Sequence, residues 1–186
     1  MIPKLSLTNQ FLIAMPALAD PNFFHSVTYI CEHNSEGALG IVINHPMEIR
    51  LGDVLEHMSI HAKTEQIAAL PVFAGGPLHR ERGFVIHQPG EEWDSVLRVG
   101  EIGIASSRDI LEAIARGEGP KQALVALGYA GWGPGQLEQE MADNAWLSGP
   151  ADARILFDLP SEDRWAAAAA LFGVDLNRLS NDVGHA

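Results

Sequence analysis

The chain has 186 residues, 47% hydrophobic and 19% charged, with 12 Lys and Arg against 24 Asp and Glu and a formal net charge of -12. That length and balance suit one globular domain, able to bury a core without disulfides or a structural metal. The charge argues against nucleic acid and anionic membranes as direct partners, because phosphate affinity comes largely from Lys and Arg and no basic run is present.

The segment "MIPKLSLTNQFLIAMP" carries a short apolar run that reads as a strand and not as a signal peptide. No apolar run is long enough to span a bilayer. The single cysteine, Cys31, cannot form an internal disulfide, which suits a reducing cytosol. A cytoplasmic protein is expected.

"SVTYICEH" is rich in β-formers, "NSEG" supplies turn chemistry with Gly37 free to take positive φ, and "LGIVIN" follows as a buried strand ended by Pro46. "LGDVLEHM" has helical spacing at Leu51, Val54, Leu55 and Met58. "LPVFAGG", "GFVIH", "SVLRV" and "IGIAS" are further short strands. "SSRDILEAIARG" opens on a capping box from Ser106 to Asp109, places Ile110, Leu111 and Ile114 on one face, and stops at Gly117. Pro120 is placed to begin another short helix. "ALVALGYAGW" returns to strand, and "PGQLEQEMADN" is helical with Pro134 in its first turn. On that helix Leu137 and Met141 should face the core, with Gln136 and Glu140 on another face. "ARILFD" reads as a strand and "SEDRWAAAAALFG" as a helix ending at Gly173. No repeat, low-complexity tract or linker divides the chain, so residues 1–186 are expected to form one domain. Strands cluster early and helices late without regular alternation, which favours α+β over a doubly wound fold.

Chemistry-bearing residues are few. Cys31 and His33 are two apart on a strand and should share a face, which makes them a redox candidate. Their Cα atoms would lie roughly 6.5 Å apart with parallel side chains, so a small buried hydrophobe is the favoured role for Cys31. His57 and His61 have helical spacing, but the second falls past the helix end, and no zinc motif supports a metal site. His79, Arg80, Arg82 and His87 form the densest basic cluster, suited to an anion but read first as a solvated loop. Gly75 and Gly76 allow a sharp turn or an anion nest. "GYAGWGPGQ" leads from strand to helix without a phosphate-loop or dinucleotide motif. Its four glycines cost backbone entropy that a plain turn seldom demands. Trp132, between two of them, is either a plug sealing the sheet end or an exposed contact.

In order, "NQFLIAMPALADPNF", "SVTYICEHNSEGALGIVINHP", "GGP", "RGFVIH", "SSRDIL", "LGYAGWGPGQLEQEMADNAWL", "ILFDLP" and "GHA" resemble the YqgE/AlgH family of bacterial proteins. The resemblance runs from about Leu5 to Ala186 and is weakest at 47–70. It implies a single α+β domain whose coiled, bifurcated sheet forms a small barrel surrounded by helices. It implies no established activity and no cofactor, and family members commonly carry valine where Cys31 stands.

The leading expectation is a binding or regulatory module without chemistry of its own, acting through a protein partner or small ligand, and an indirect regulator of gene expression. Its candidate contacts are Gly75, Gly76, Arg82, Tyr129, Trp132, Gln136 and Glu138. The alternatives are a thiol-dependent redox sensor or enzyme using Cys31 and His33, and a direct DNA-binding regulator, which the charge disfavours. No catalytic residue, metal ligand or cofactor is assigned, and the oligomeric state is left open.

Overall fold

A computed structural model describes residues 6–16, 23–90 and 92–174. Short apolar runs rich in β-formers, bounded by Asn and Gly turns, build an antiparallel start: β1 (Gln10–Ala14), β2 (Val27–Asn34) and β3 (Gly37–Val42). Gly37 turns the β2–β3 hairpin at φ 134°. There β2 carries a bulge, since Ile30 pairs with Gly40 but Glu32 pairs with Leu39, leaving Cys31 as the extra residue.

The weakly patterned stretch after β3 is ordered. The chain forms β4 (Pro46–Arg50), α1 (Leu51–His57), α2 (Glu65–Ala68) and β5 (Pro71–Ala74). The expected end of β3 at Pro46 is corrected: β3 stops at Val42, and Pro46 opens β4 opposite Phe73. Next come β6 (Leu78–His87), β7 (Val96–Val99), β8 (Ile102–Ala105) and α3 (Arg108–Ala115). Ile110, Leu111 and Ile114 are all buried, and the turn after α3 passes through Gly117 at φ 78°. The expected capping box is replaced by Ser107 at the N-cap, whose hydroxyl donates to Asp109 Oδ1 at 2.5 Å instead of accepting from the helix. No helix begins at Pro120; the chain runs straight into β9 (Ala123–Trp132).

The chain closes with α4 (Gln136–Ala142), β10 (Trp146–Pro150), α5 (Ala153–Phe157) and α6 (Ser161–Leu171). "ARILFD", expected as a strand, is helical because the Asp152 carboxylate accepts from the Arg154 and Ile155 amides and caps α5. Pro134 lies outside α4, since Gly135 at φ 73° is its N-cap.

Among the described residues the ten strands form one sheet in the order β10-β1-β2-β3-β9-β6-β8-β7, with β4 and β5 branching off. The fork is on β9. Its second half pairs with β3 through Ala130 and Gly131, while its first half pairs with β5 in parallel through Val125 and Ala126, on the edge away from β6. Between the halves Gly128 turns the strand at φ 81°.

Three apolar clusters result. The largest gathers Phe11, Tyr29, Cys31, Ile41, Phe73 and Ile86 beneath α5 and α6. A second lies where α1 and α3 cover β5, β6, β8 and β9. The third, with Trp132, Leu137 and Trp146, lies beneath α4. Arg164 of α6 is 6% exposed; its guanidinium donates to the carbonyls of Ile43 and Leu159 and lies 4.9 Å from the Phe73 ring centroid. Burial lowers its pKa to about 10, so it stays charged at neutral pH.

Candidate functional site

The bulge decides the fate of the cysteine and histidine. One extra residue on β2 reverses which face the following side chains take. Cys31 joins Tyr29 and Ile41 in the large core, whereas His33, opposite Ala38, turns toward α4. The expectation that the two share a face is therefore corrected. The Cys31 thiol donates weakly to the Tyr29 carbonyl at 3.7 Å, and burial, reinforced by the neighbouring Glu32 carboxylate, pushes its pKa up. His33 Nδ1 accepts from the Leu7 amide at 2.9 Å, so Nε2 carries the proton donated to Glu138 Oε1 at 2.7 Å. Both ring nitrogens are occupied, and neither bonds to the thiol.

The glycine-rich aromatic segment is a lock between β9, α4 and β10. Glu140 Oε1 accepts the indole N–H of Trp132 at 3.2 Å and of Trp146 at 3.0 Å. Its Oε2 accepts from Gln136 Nε2 at 2.9 Å, and Gln136 Oε1 in turn accepts from the Gly133 amide. Trp132 is 6% exposed and its ring meets Phe23 and Trp146. Of the two roles open to it, burial selects the plug over the exposed contact. Leu137 is fully buried and Met141 packs against the same cluster, as the helical spacing predicts.

Gly75 and Gly76 sit in the fork. The Gly75 amide donates to Leu127 and its carbonyl accepts from Val42, so this backbone bridges β3 and β9. A Cβ on Gly76 would stand 2.1 Å from the Tyr129 carbonyl carbon. Close backbone approach, one of the two roles foreseen for this pair, is what these glycines permit, and the Gly75 amide is not free for an anion. The basic cluster divides along β6. His79 stacks on the half-buried Tyr129, Arg82 lies 5.3 Å from the Phe84 ring centroid, and His87 is buried at the far end. His57 and His61 do not share a helical face, because α1 ends at His57.

One concave feature escaped the sequence. α1 and α3 stand apart over β6, β8 and β9 and leave a cleft of about 480 Å³. Its walls are apolar, with Val54, Phe84, Leu111 and Leu127 among them. Asp53, His57, Glu81, Ser106 and Arg108 supply its polar lining. Gly83 lines it too, and a Cβ there would meet only Leu127 Cδ2, at 3.6 Å. One wall of the cleft, Ile49, Asp53, Val54, His57 and Met58, comes from the stretch at 47–70 that carries little pattern. Only the apolar face of α1 signalled it, and nothing in that face names its partner across the gap.

A second surface feature is an aromatic stack. His25 lies between Phe24 and Trp165, with centroids 3.9 and 3.8 Å away, and Trp165 Nε1 donates to the Ala14 carbonyl. His45 Nε2 donates to the Phe24 carbonyl at 3.0 Å. Desolvation holds His25 below the usual histidine range. It does the same for His45, offset in part by that hydrogen bond and aided by the nearby His25.

Among the described residues no three His, Cys, Asp or Glu side chains group to hold a metal ion, and no helix is long and apolar enough to cross a membrane. The forked sheet, the tryptophan lock and the covering helices define a single-domain α+β protein of one recognisable architecture. The family model described as AlgH-like matches residues 11–177, and the chain belongs to that family. It is 62% identical to a UPF0301 protein of Thioalkalivibrio sulfidiphilus over the full length of both chains. It is 59% identical to one of Nitrosococcus oceani, over 96% of each. The solution structure of the AlgH protein from Pseudomonas aeruginosa superposes with a TM-score of 0.81 at 49% identity, covering 97% of this chain and 96% of that one. A crystal structure of protein DIP2367 from Corynebacterium diphtheriae, at 20% identity, shares the fold with a TM-score of 0.75, covering 97% of this chain and 94% of that one.

Proposed function

We propose that the protein is a cytoplasmic binding module without chemistry of its own, acting in regulation through a bound ligand, and that the cleft between α1 and α3 is its site. The observation that carries this reading is the cleft's make-up: about 480 Å³, apolar walls and a few polar groups. That volume falls within the range of ligand pockets, roughly 300–1,000 Å³, and apolar walls with sparse polar groups are what such pockets use to combine affinity with orientation. The favoured ligand has an apolar body and a polar end. Cys31, buried with its pKa raised, offers no support to the thiol-dependent alternative. The net charge of -12 weighs against direct DNA binding.

The test is to close the cleft. Gly83→Ile adds a side chain where the backbone is unstrained and the nearest contact is ordinary. An environment-sensitive apolar dye should bind the wild type and lose affinity for the variant while thermal unfolding stays unchanged. Undiminished dye binding by a folded variant would remove the cleft as the site.

A further inference from the structure

The polar lining of the cleft between α1 and α3 selects the charge of its ligand. Its ionisable side chains are Asp53, His57, Glu81 and Arg108. The one guanidinium among them is already engaged, with Arg108 Nε 3.3 Å from Glu112 Oε1, a turn further along α3. The N-terminus of α3 is the other place where an anion would settle. It is filled from within the chain: the Asp109 carboxylate accepts the Asp94 and Ile110 amides and the Ser107 hydroxyl. Ser106 Oγ lies 3.1 Å from Ser95 Oγ. Each group that would attract an anion thus already holds a carboxylate of the protein.

The two acidic groups of the lining are placed differently. Asp53 Oδ2 accepts the Arg50 amide at 2.8 Å, a neutral donor. Among the described residues Asp53 forms no ion pair, not even with His57 one turn later. Glu81 Oε1 lies 3.6 Å from His79 Nδ1, but the two side chains are 80% and 61% exposed, and a pair so open to water contributes little. Both acidic residues are exposed, so their carboxylates can meet a headgroup at the mouth of the cleft. We propose that the ligand of this cleft is a small amphiphile with a cationic head, its apolar body between α1 and α3 and its ammonium group drawn to Asp53 or Glu81. The inference rests on the cleft being the binding site. It needs no bond shared between the two carboxylates, because each attracts an ammonium independently. The net charge of -12 adds a field of the same sign, which raises the local concentration of such a ligand.

Displacement of a neutral, environment-sensitive dye from the full chain provides the readout. Decylammonium, decanol and decanoate are the competitors, near neutral pH and below the concentrations at which they form micelles. All three carry the same apolar body, so their ratios isolate the head. Decylammonium should displace the dye at about a tenfold lower concentration than decanol, and decanoate should be the weakest. High salt should shrink the advantage of the ammonium. Asp53→Asn and Glu81→Gln should each reduce the ammonium-to-alcohol ratio about two- to fivefold, the scale of an exposed ion pair. Glu36→Gln, on the β2–β3 turn outside the cleft, should leave that ratio unchanged. Decanol equal to decylammonium, decanoate strongest, or a ratio that falls as far in Glu36→Gln as in the cleft variants would overturn the cationic head and leave the cleft standing. Dye binding that survives in Gly83→Ile, or that none of the three competitors reverses, would remove the cleft and this inference with it.

Discussion

Trp132 and Trp146 deliver their indole N–H groups to the same carboxylate oxygen of Glu140, at 3.2 and 3.0 Å. Both rings are buried, so the carboxylate is the pin that holds β9, α4 and β10 together. Glu140→Leu strands two buried donors, each costing about 1–3 kcal/mol. Glu140→Gln retains one acceptor oxygen and should cost less. Trp132→Ala should lower stability by about 3–5 kcal/mol. Urea unfolding of the three variants gives the order directly; a Trp132→Ala protein as stable as the wild type would contradict the plug.

Cys31 should behave as a small core side chain. Cys31→Val should fold and lose little stability, since the two are similar in size and a strand tolerates β-branching. Because burial raises the folded-state thiol pKa, the neutral-thiol contribution to stability is complete below the usual thiol range and declines as pH rises through it. Alkylation of the native protein should stay slow from neutral to mildly alkaline pH. Fast labelling at pH 7 without unfolding would contradict the assignment.

Acid should weaken the fold near the aromatic stack. His25 and His45 have folded-state pKa values below the ordinary 6.5, so the unfolded chain takes up protons first. Their contribution is complete above that pH and is lost as pH falls through 6.5 toward the folded-state values. The slope of stability against pH between 7 and 5 should flatten in His45→Gln. An unchanged slope would assign the acid sensitivity to other groups.

Gly76 should be intolerant of any side chain. Its φ of 155° and a Cβ that would meet the Tyr129 backbone at 2.1 Å leave no relief short of opening the fork. Gly76→Ala should cost at least about 3 kcal/mol, read as lost soluble yield or a lowered Tm. Gly83→Ala, by contrast, should be nearly neutral.

Purified protein should not bind DNA selectively in a gel shift at physiological salt. The formal charge of -12 repels phosphates at range, and screening beyond about 8 Å leaves only local patches to attract them. Submicromolar sequence-selective binding would reverse this.

Local signals carried much of the fold. The β-formers of "SVTYICEH" and the turn chemistry of "NSEG" announced β2 and β3, and the i, i+1, i+4 spacing of Ile110, Leu111 and Ile114 announced α3. β10 was missed because "WLSGP" has little alternation; its strand state comes from pairing with β1, far away in the chain. α5 was misread because a short apolar run fits strand or helix equally, and Asp152 settles the matter. The bulge at Cys31 has no glycine to mark it, so the face reversal that parts Cys31 from His33 left no trace in the residues. The glycine-rich segment was legible as unusual but not as a lock, since Glu140 and Trp146 acquire meaning only once α4 folds back. The cleft joins residues around Val54 to others around Leu111, a non-local conjunction that periodicity does not encode.

The fork on β9 also sets the order in which the molecule can be completed. β3 finds its outer neighbour only when Leu39 meets Gly131, and β5 waits for the same strand at Val72 and Val125. Until β9 leaves the ribosome, both earlier strands present bare edges, the exposure through which nascent chains aggregate. Long-range closure of this kind slows folding. A chain truncated before β9 should therefore be insoluble as a whole, with no independently folded N-terminal half to recover.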